Sequence, residues 1–195
     1  MTKIETLVEK AKRLKEKGLT TEEIADELNV SRETAMWLLT RVTETPPSDI
    51  YVEWRELTKP ARLRHIASAV ANMIKSEVKD DVDVIVGIAT SGIPLASMVA
   101  EELGCDLAIY YPRKFKVEDE KPRGGVLSEN FARVAGKKCV IIDDIISTGR
   151  SIKEAAEVIE ANEGKPMCAA VIVNKRGSKE IDSLPVLSML KIVRI

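Results

Sequence analysis

The run Cys139-Val-Ile-Ile-Asp-Asp144-Ile-Ile-Ser-Thr-Gly-Arg-Ser151 decides the fold. Its apolar residues form a buried strand that delivers two acids to the strand's end. Neighbouring residues of a strand point to opposite faces, so the backbone is expected to turn at Asp143 and Asp144. Ser147-Thr-Gly-Arg-Ser151 then supplies hydroxyls, a flexible glycine and free amides at a helix start. Such a segment cradles phosphate, because amide donors and the positive end of the helix dipole meet at one anion. The acids, one loop-width away, suit sugar hydroxyls or a divalent cation carried on the same ligand. Together the features specify a ribose 5-phosphate. Its phosphate would lie on Ser147, Thr148, Gly149, Arg150 and Ser151, and its diol on Asp143 and Asp144. An apolar strand ending in two acids also serves nucleotide hydrolases, but their Gly-x-x-x-x-Gly-Lys-Ser/Thr loop is absent, as is the Asp-x-Asp of haloacid-type phosphatases.

On both sides of this run strands alternate with helices. Residues 83–87 read as a short buried strand leading through Thr90, Ser91 and Gly92 into a helix that ends near Leu103. Further strands are expected at 106–111, 138–143, 167–174 and 186–193, with a helix over 150–161 and a polar segment from Pro112 to Gly125. Leu63, Ile66, Ala67, Val70, Met73 and Ile74 mark an amphipathic helix ahead of the sheet, with His65 off the apolar stripe and solvated. Continuous apolar strands in this order predict an open parallel sheet covered on both faces, an α/β fold whose ligands sit at the carboxyl ends of strands.

The chain divides near residue 45, where Thr43-Glu-Thr-Pro-Pro-Ser-Asp49 interrupts helical periodicity. Residues 1–45 read as an all-α domain and residues 46–195 as the ligand-binding domain. Ile4, Leu7, Val8, Ala11 and Leu14 share one buried helix face, and Gly18 stops that helix. Thr20-Thr-Glu-Glu23 is a capping box opening a second helix with Ile24, Ala25 and Leu28 inside. Asn29 takes a left-handed turn, and Ser31 caps a third helix carrying Ala35, Leu38 and Leu39. The spacing resembles the helix-turn-helix of transcription regulators, whose second helix enters the DNA major groove. That resemblance gives base-facing roles to Ser31, Arg32, Glu33, Thr34 and Trp37, with Arg41 toward phosphate. A helical hairpin for dimerisation has the same apolar spacing and stays open as an alternative.

Composition narrows the chemistry. The 195 residues are 45% hydrophobic and 31% charged, enough for a real core, and the net charge of −1 excludes a basic nucleic-acid coat protein. Residues 1–45 hold 8 basic against 9 acidic side chains, so any DNA affinity rests on charge segregation and a dimer. Lys10, Lys12, Arg13, Lys15 and Lys17 crowd the first helix. A single histidine excludes a paired-His metal motif. Cys105, Cys139 and Cys168 lack CxxC spacing and read as reduced core residues. With 4% aromatics there is no stacking platform for single-stranded RNA. No apolar run approaches ~18 residues, so a soluble, cytoplasmic protein without a membrane partner is expected.

The 139–151 run resembles the phosphoribosyl pyrophosphate signature of type I phosphoribosyltransferases and agrees with it at every position. Gly87-Ile-Ala-Thr-Ser-Gly-Ile-Pro-Leu-Ala96 is similar to the pyrophosphate loop of the orotate branch, with Ser91 where a lysine is common. Tyr111-Pro-Arg113-Lys114 resembles the start of that branch's catalytic loop, and Gly124-Gly125 its end. The resemblance covers about residues 50–195. It implies diphosphate binding by Thr90, Ser91, Gly92, Arg113 and Lys114, and Mg2+ brought in on a diphosphate near Asp143 and Asp144. It also implies displacement at ribose C1, which in an active enzyme would use Asp143, Asp144, Lys114 and Lys116. The loop departs from the branch: it has no histidine, and Glu118-Asp-Glu120 places negative charge where diphosphate leaves. Each charge-assisted donor lost removes ~2–4 kcal/mol of transition-state stabilisation. A helix-turn-helix joined to such a domain resembles the archaeal orotate phosphoribosyltransferase-like transcription regulators of glucose and fructose catabolism. It implies a DNA-binding homodimer that senses a phosphorylated sugar or phosphoribosyl pyrophosphate, with a working orotate (or other base) phosphoribosyltransferase as the alternative.

Overall fold

The computed structural model describes residues 3–112 and 125–193, and the chain forms two compact units, Met1–Trp54 and Arg55–Ile195. The division falls nine residues beyond the expected boundary at residue 45. Residues past that boundary still bond to the helices: the Ser31 amide donates to Asp49, Lys10 Nζ donates to the Tyr51 hydroxyl at 3.1 Å, and Tyr51 packs on the helical core.

The first unit holds α1 (Lys3–Glu16), α2 (Thr21–Glu27) and α3 (Arg32–Thr40). The capping box forms as expected: the Glu23 amide donates to Thr20 Oγ1, and Glu23 accepts the Thr20 amide at 2.7 Å. Such a cap is worth about 1 kcal/mol, a large share for a seven-residue helix that cannot stand alone. Asn29 takes φ 52°, and Ser31 Oγ accepts the Thr34 amide. Ala11, Ile24 and Ala35 are fully buried with Leu7, Val8, Leu28, Val30 and Leu38 around them. Ile4, expected on the buried face, is exposed, because it lies a turn before α1 meets the other helices. Arg41, in the left-handed region at φ 51°, ends α3.

The second unit begins with α4 (Pro60–Glu77), with proline at its start where no amide bond is lost. Then follow β1 (Val84–Ile88), α5 (Gly92–Leu103), β2 (Asp106–Tyr111), β3 (Val126–Leu127), β4 (Lys138–Ile146), α6 (Arg150–Ala161), β5 (Lys165–Asn174), β6 (Glu180–Ile181) and β7 (Leu184–Lys191). The sheet order is β3-β2-β1-β4-β5-β7-β6. The five inner strands run parallel, and the two-residue strands β3 and β6 pair antiparallel at the edges. Every residue of β1 is buried, which matches an apolar strand with both faces covered. Ile152, Ala155 and Ile159 of α6 pack with Val84, Val86 and Ile88 on one face. Helices α4 and α5 pack on each other, and α5 lies on β1 and β4.

The turn expected at the acid pair is not made. Pairing of β4 with β1 stops at Ile142, yet pairing with β5 runs on to Ile146 opposite Asn174. From Asp143 onward one edge of the strand is free of β1, and that edge is where the acids find their partners. No helix among the described residues is long and apolar enough to cross a membrane.

Candidate functional site

The carboxyl ends of β1, β4 and β5 supply the elements of one site. After β1, residues 89–91 turn directly into α5. A Cβ on Gly92 would stand 2.7 Å from the Ile142 carbonyl oxygen and 3.1 Å from the Asp143 Cα, so the two loops touch backbone to backbone. Only glycine fits there, because a carbonyl in a sheet cannot yield. The contact brings Ser91 to the acid pair: its Oγ donates to Asp144 Oδ1 at 3.0 Å. The same oxygen accepts the Ile145 amide at 2.8 Å, and Asp143 Oδ1 accepts the Asp144 amide at 2.9 Å. Asp143 is buried and Asp144 half-buried. Burial pushes the Asp144 carboxyl above its ordinary value, while its bonds with Asp143, Ser91 and the Ile145 amide pull it back.

The phosphate cradle lies between β4 and α6. Ser147, Thr148 and Arg150 are exposed, Ser151 is half-buried, and Gly149 caps the helix at φ 82°. Thr148 Oγ1 accepts the Arg150 amide at 3.3 Å, a long bond that a phosphate oxygen can replace. The Thr148 carbonyl accepts from Arg176 Nη1 at 3.0 Å. A Cβ on Gly149 would come within 2.7 Å of Ile181 and 3.1 Å of Arg176. The segment between β5 and β7 therefore closes over the cradle. Asn174, buried at the end of β5, donates to the Ser178 carbonyl and accepts the Gly177 amide, which folds the loop back. Lys153 of α6 pairs with Asp182 at 2.6 Å, holding the turn between β6 and β7 to the same helix. Asn174, Arg176 and Asp182 were missed in the sequence. The available sign was Asn174-Lys-Arg-Gly177, cations and a turn glycine placed directly after a buried strand.

Ser91 and Gly92 stand against the acid pair, with Thr90 in the same turn. Arg113, Lys114 and Lys116 lie outside the described residues. Among the described residues no three His, Cys, Asp or Glu side chains converge to hold a metal. The acid pair offers hard oxygen atoms, which suit Mg2+ entering on a ligand with its own oxygens and not a cage built by protein alone.

In the helical unit, α3 carries the residues assigned to DNA. Arg32 and Glu33 are exposed, and Arg32 Nε pairs with Glu22 at 2.8 Å. Ser31 is exposed but its hydroxyl caps the helix. Thr34 and Trp37 are not base-facing. Thr34 is buried, and Trp37 is 7% exposed with its indole N–H donating to the Thr43 carbonyl at 2.9 Å. Their positions fall on the face of α3 that packs against α1 and α2, with Ala35 and Leu38. Met36, overlooked as an apolar residue, is 44% exposed and stands one turn from Arg32 and Thr40. Arg41 lies over the Trp37 ring, 5.0 Å from its centre. A cleft of about 540 Å³ is lined by Lys12, Lys15 and Glu16 of α1, Thr21, and Met36, Leu39 and Thr40 of α3. Two of the α1 cations thus border the exposed face of α3, while Lys10 turns away to Tyr51 and Glu53.

The family described as "Phosphoribosyl transferase domain" matches residues 53–195. The transcriptional regulator GfcR of Archaeoglobus fulgidus is 80% identical over 195 residues, covering all of both chains. A GfcR of Methanosarcina mazei is 45% identical over 203 residues, again covering both chains. Among solved structures, orotate phosphoribosyltransferase from Aeropyrum pernix superposes with a TM-score of 0.58 at 21% identity, covering 76% of this chain and 81% of that one. Adenine phosphoribosyltransferase from Thermoanaerobacter pseudethanolicus gives 0.60 at 17% identity, over 76% and 91%. At such identities the structures show the fold alone, whereas the relatives match along the whole length. The chain belongs to the phosphoribosyl transferase domain family and, within it, to the GfcR transcriptional regulators.

Proposed function

We propose that the chain is a DNA-binding homodimer whose phosphoribosyltransferase-like unit binds a phosphorylated sugar or phosphoribosyl pyrophosphate as a signal. The observation that carries this is the pairing of an intact acid pair and phosphate cradle with a three-helix unit whose α3 exposes Arg32, Glu33, Met36 and Thr40 beside Lys12 and Lys15. In this reading Arg32 and Glu33 address base edges, Met36 contacts a thymine methyl, and Lys12 and Lys15 track phosphate. A dimer would place two such helices one DNA turn apart, ~34 Å. The ligand acts by binding one arrangement of the dimer more tightly than the other, since without that difference no ligand shifts the equilibrium. In this reading catalysis is secondary to signal binding, and the loop's lack of a histidine with acids at 118–120 supports that. A gel-shift on promoter DNA tests the reading: a sequence-dependent complex whose stability changes with sugar phosphate supports it, and a complex indifferent to sequence sinks it.

A working orotate phosphoribosyltransferase is the second reading, favoured by Asp143 and Asp144 where β4 runs past the end of its pairing with β1. There the acids would hold the ribose and Lys114 and Lys116 the departing diphosphate, with Mg2+ shared by the diphosphate. Incubation with orotate, phosphoribosyl pyrophosphate and Mg2+ separates the two. Turnover at ~1–1000 per second establishes the enzyme.

A further inference from the structure

The start of α3 is held by a stretch of chain that lies beyond the three helices. At Arg41 the backbone enters the left-handed region and leaves α3, and the Thr43 carbonyl then accepts the Trp37 indole N–H at 2.9 Å. The Asp49 carboxylate meets the other end of the helix, where it accepts the Ser31 amide. Residues 43–49 therefore return along α3 from its second half to its start. The reach is ample, since the segment from Ser31 to Trp37 rises ~9 Å as helix and an extended chain from Thr43 to Asp49 spans up to ~20 Å.

The carboxylate is itself fixed. Its Oδ1 accepts the Ile50 amide at 2.7 Å while Oδ2 takes the Ser31 amide, so one rigid group joins this strap to the helix start. Two residues on, Tyr51 packs on the helical core; its hydroxyl accepts from Lys10 Nζ at 3.1 Å and donates to Glu53. Asp49 thereby ties α3 to α1 by a path separate from the apolar core. Ser31, Arg32 and Glu33 are all exposed, so packing does little to fix this turn. The Arg32 pair with Glu22 also holds it, but through a side chain that has to turn to the DNA.

Side chains that read base edges need a backbone held to about 0.5 Å, because hydrogen bonds weaken steeply with misplacement. Resting on the DNA-binding reading above, we infer that Asp49 is a positioning residue for sequence reading, which sets the aim of Arg32 and Glu33 through its bond to the Ser31 amide. Its negative charge opposes DNA phosphates, so its contribution lies in the bond and not in the charge.

An anisotropy titration of the full chain tests this on two duplexes, one selected by the wild type from a random pool and a scrambled one of the same composition. The readout is the ratio of the two affinities, which a loss of stability leaves alone because unfolded chain weakens both equally. Asp49→Ala is expected to lower the ratio about tenfold, the worth of one charge-assisted hydrogen bond, with the salt slope unchanged. Asp49→Asn keeps an acceptor for the Ser31 amide without the charge and is expected to hold the ratio near that of the wild type. An unchanged ratio in Asp49→Ala, or an equal loss in Asp49→Asn, overturns the inference and leaves the DNA-binding reading in place. Failure of the wild type to select any sequence overturns both. Should Asp49→Ala not fold, as its melting curve would show, Asp49→Glu takes its place: it keeps the charge but displaces the carboxylate by a methylene. The same loss is expected there, and an unchanged ratio overturns the inference.

Discussion

At the scale of single residues, the site depends on places where nothing larger fits and on acids held by amides. Gly92→Ala would drive a methyl group into the Ile142 carbonyl, 2.7 Å away. A loss of about 1–3 kcal/mol is expected, read as a lower urea midpoint at unchanged slope. An unchanged midpoint would show that the two loops do not meet as described. Asp144 gives a pH signature. Its carboxyl is raised by burial above the 3.8 of a free side chain, so the folded state holds its proton to higher pH than the unfolded state does. Stability contributed by the protonated form is then lost as pH rises from about 4 through the raised value. Wild type should lose melting temperature relative to Asp144→Asn over that range, and parallel curves would contradict the assignment. The strand that carries Asp143 and Asp144 and the helix start after 147–149 were legible because the apolar run gives way there to acids, hydroxyls and a glycine. Trp37 was misassigned because exposure on a helix depends on where its neighbours pack. Met36 was passed over for the same reason, since an apolar residue at a helical spacing reads as core until the core is seen elsewhere.

At the scale of elements, strand and helix order followed from apolar periodicity, and five parallel strands stand near where they were expected. The edge strands β3 and β6 could not be read, because two residues carry no period. The end of β4 was misplaced for a different reason. Partner strands β1 and β5 stop at different heights, and only tertiary pairing sets that. The segment joining β5 to β7 acts on the cradle through Arg176, and Arg176→Ala should weaken ribose 5-phosphate binding about tenfold, the worth of one charge-assisted hydrogen bond. A melting curve close to wild type would accompany it, because the guanidinium is exposed and its bond goes to the exposed Thr148 carbonyl; equal affinity would remove Arg176 from the site. The cysteines belong to this scale as well. Burial pushes Cys139 up to about 11 and Cys168 up to about 12, and it also raises the half-buried Cys105. At about pH 8 an alkylating reagent should reach Cys105 first and the two strand cysteines only on unfolding. Mass-spectrometric mapping of early adducts on Cys139 or Cys168 would contradict that packing.

At the scale of the whole molecule, a net charge of −1 must serve an anionic partner. The structure narrows how: Lys12 and Lys15 border the exposed face of α3, while Lys10 is spent on Tyr51 and Glu53. Few phosphates would then be neutralised by one chain, so DNA affinity should fall with salt and, in the proposed homodimer, depend on both protomers. Replacing both lysines by alanine should reduce the slope of log affinity against log salt by about 2 per protomer, with sequence preference kept. Met36→Ala should do the reverse, relaxing preference at one base position by about 1–3 kcal/mol with the slope unchanged. The two variants thus separate phosphate tracking from base reading. The most direct measurement is an anisotropy titration of the full chain on labelled promoter DNA and on a scrambled duplex, at several salt concentrations, with and without ribose 5-phosphate. The expected result is a preference for promoter DNA of at least about a thousandfold, a negative salt slope, and an affinity that ribose 5-phosphate shifts on the promoter. Equal affinity for both duplexes, untouched by the sugar phosphate, would contradict the claim that this chain couples a sugar-phosphate site to DNA.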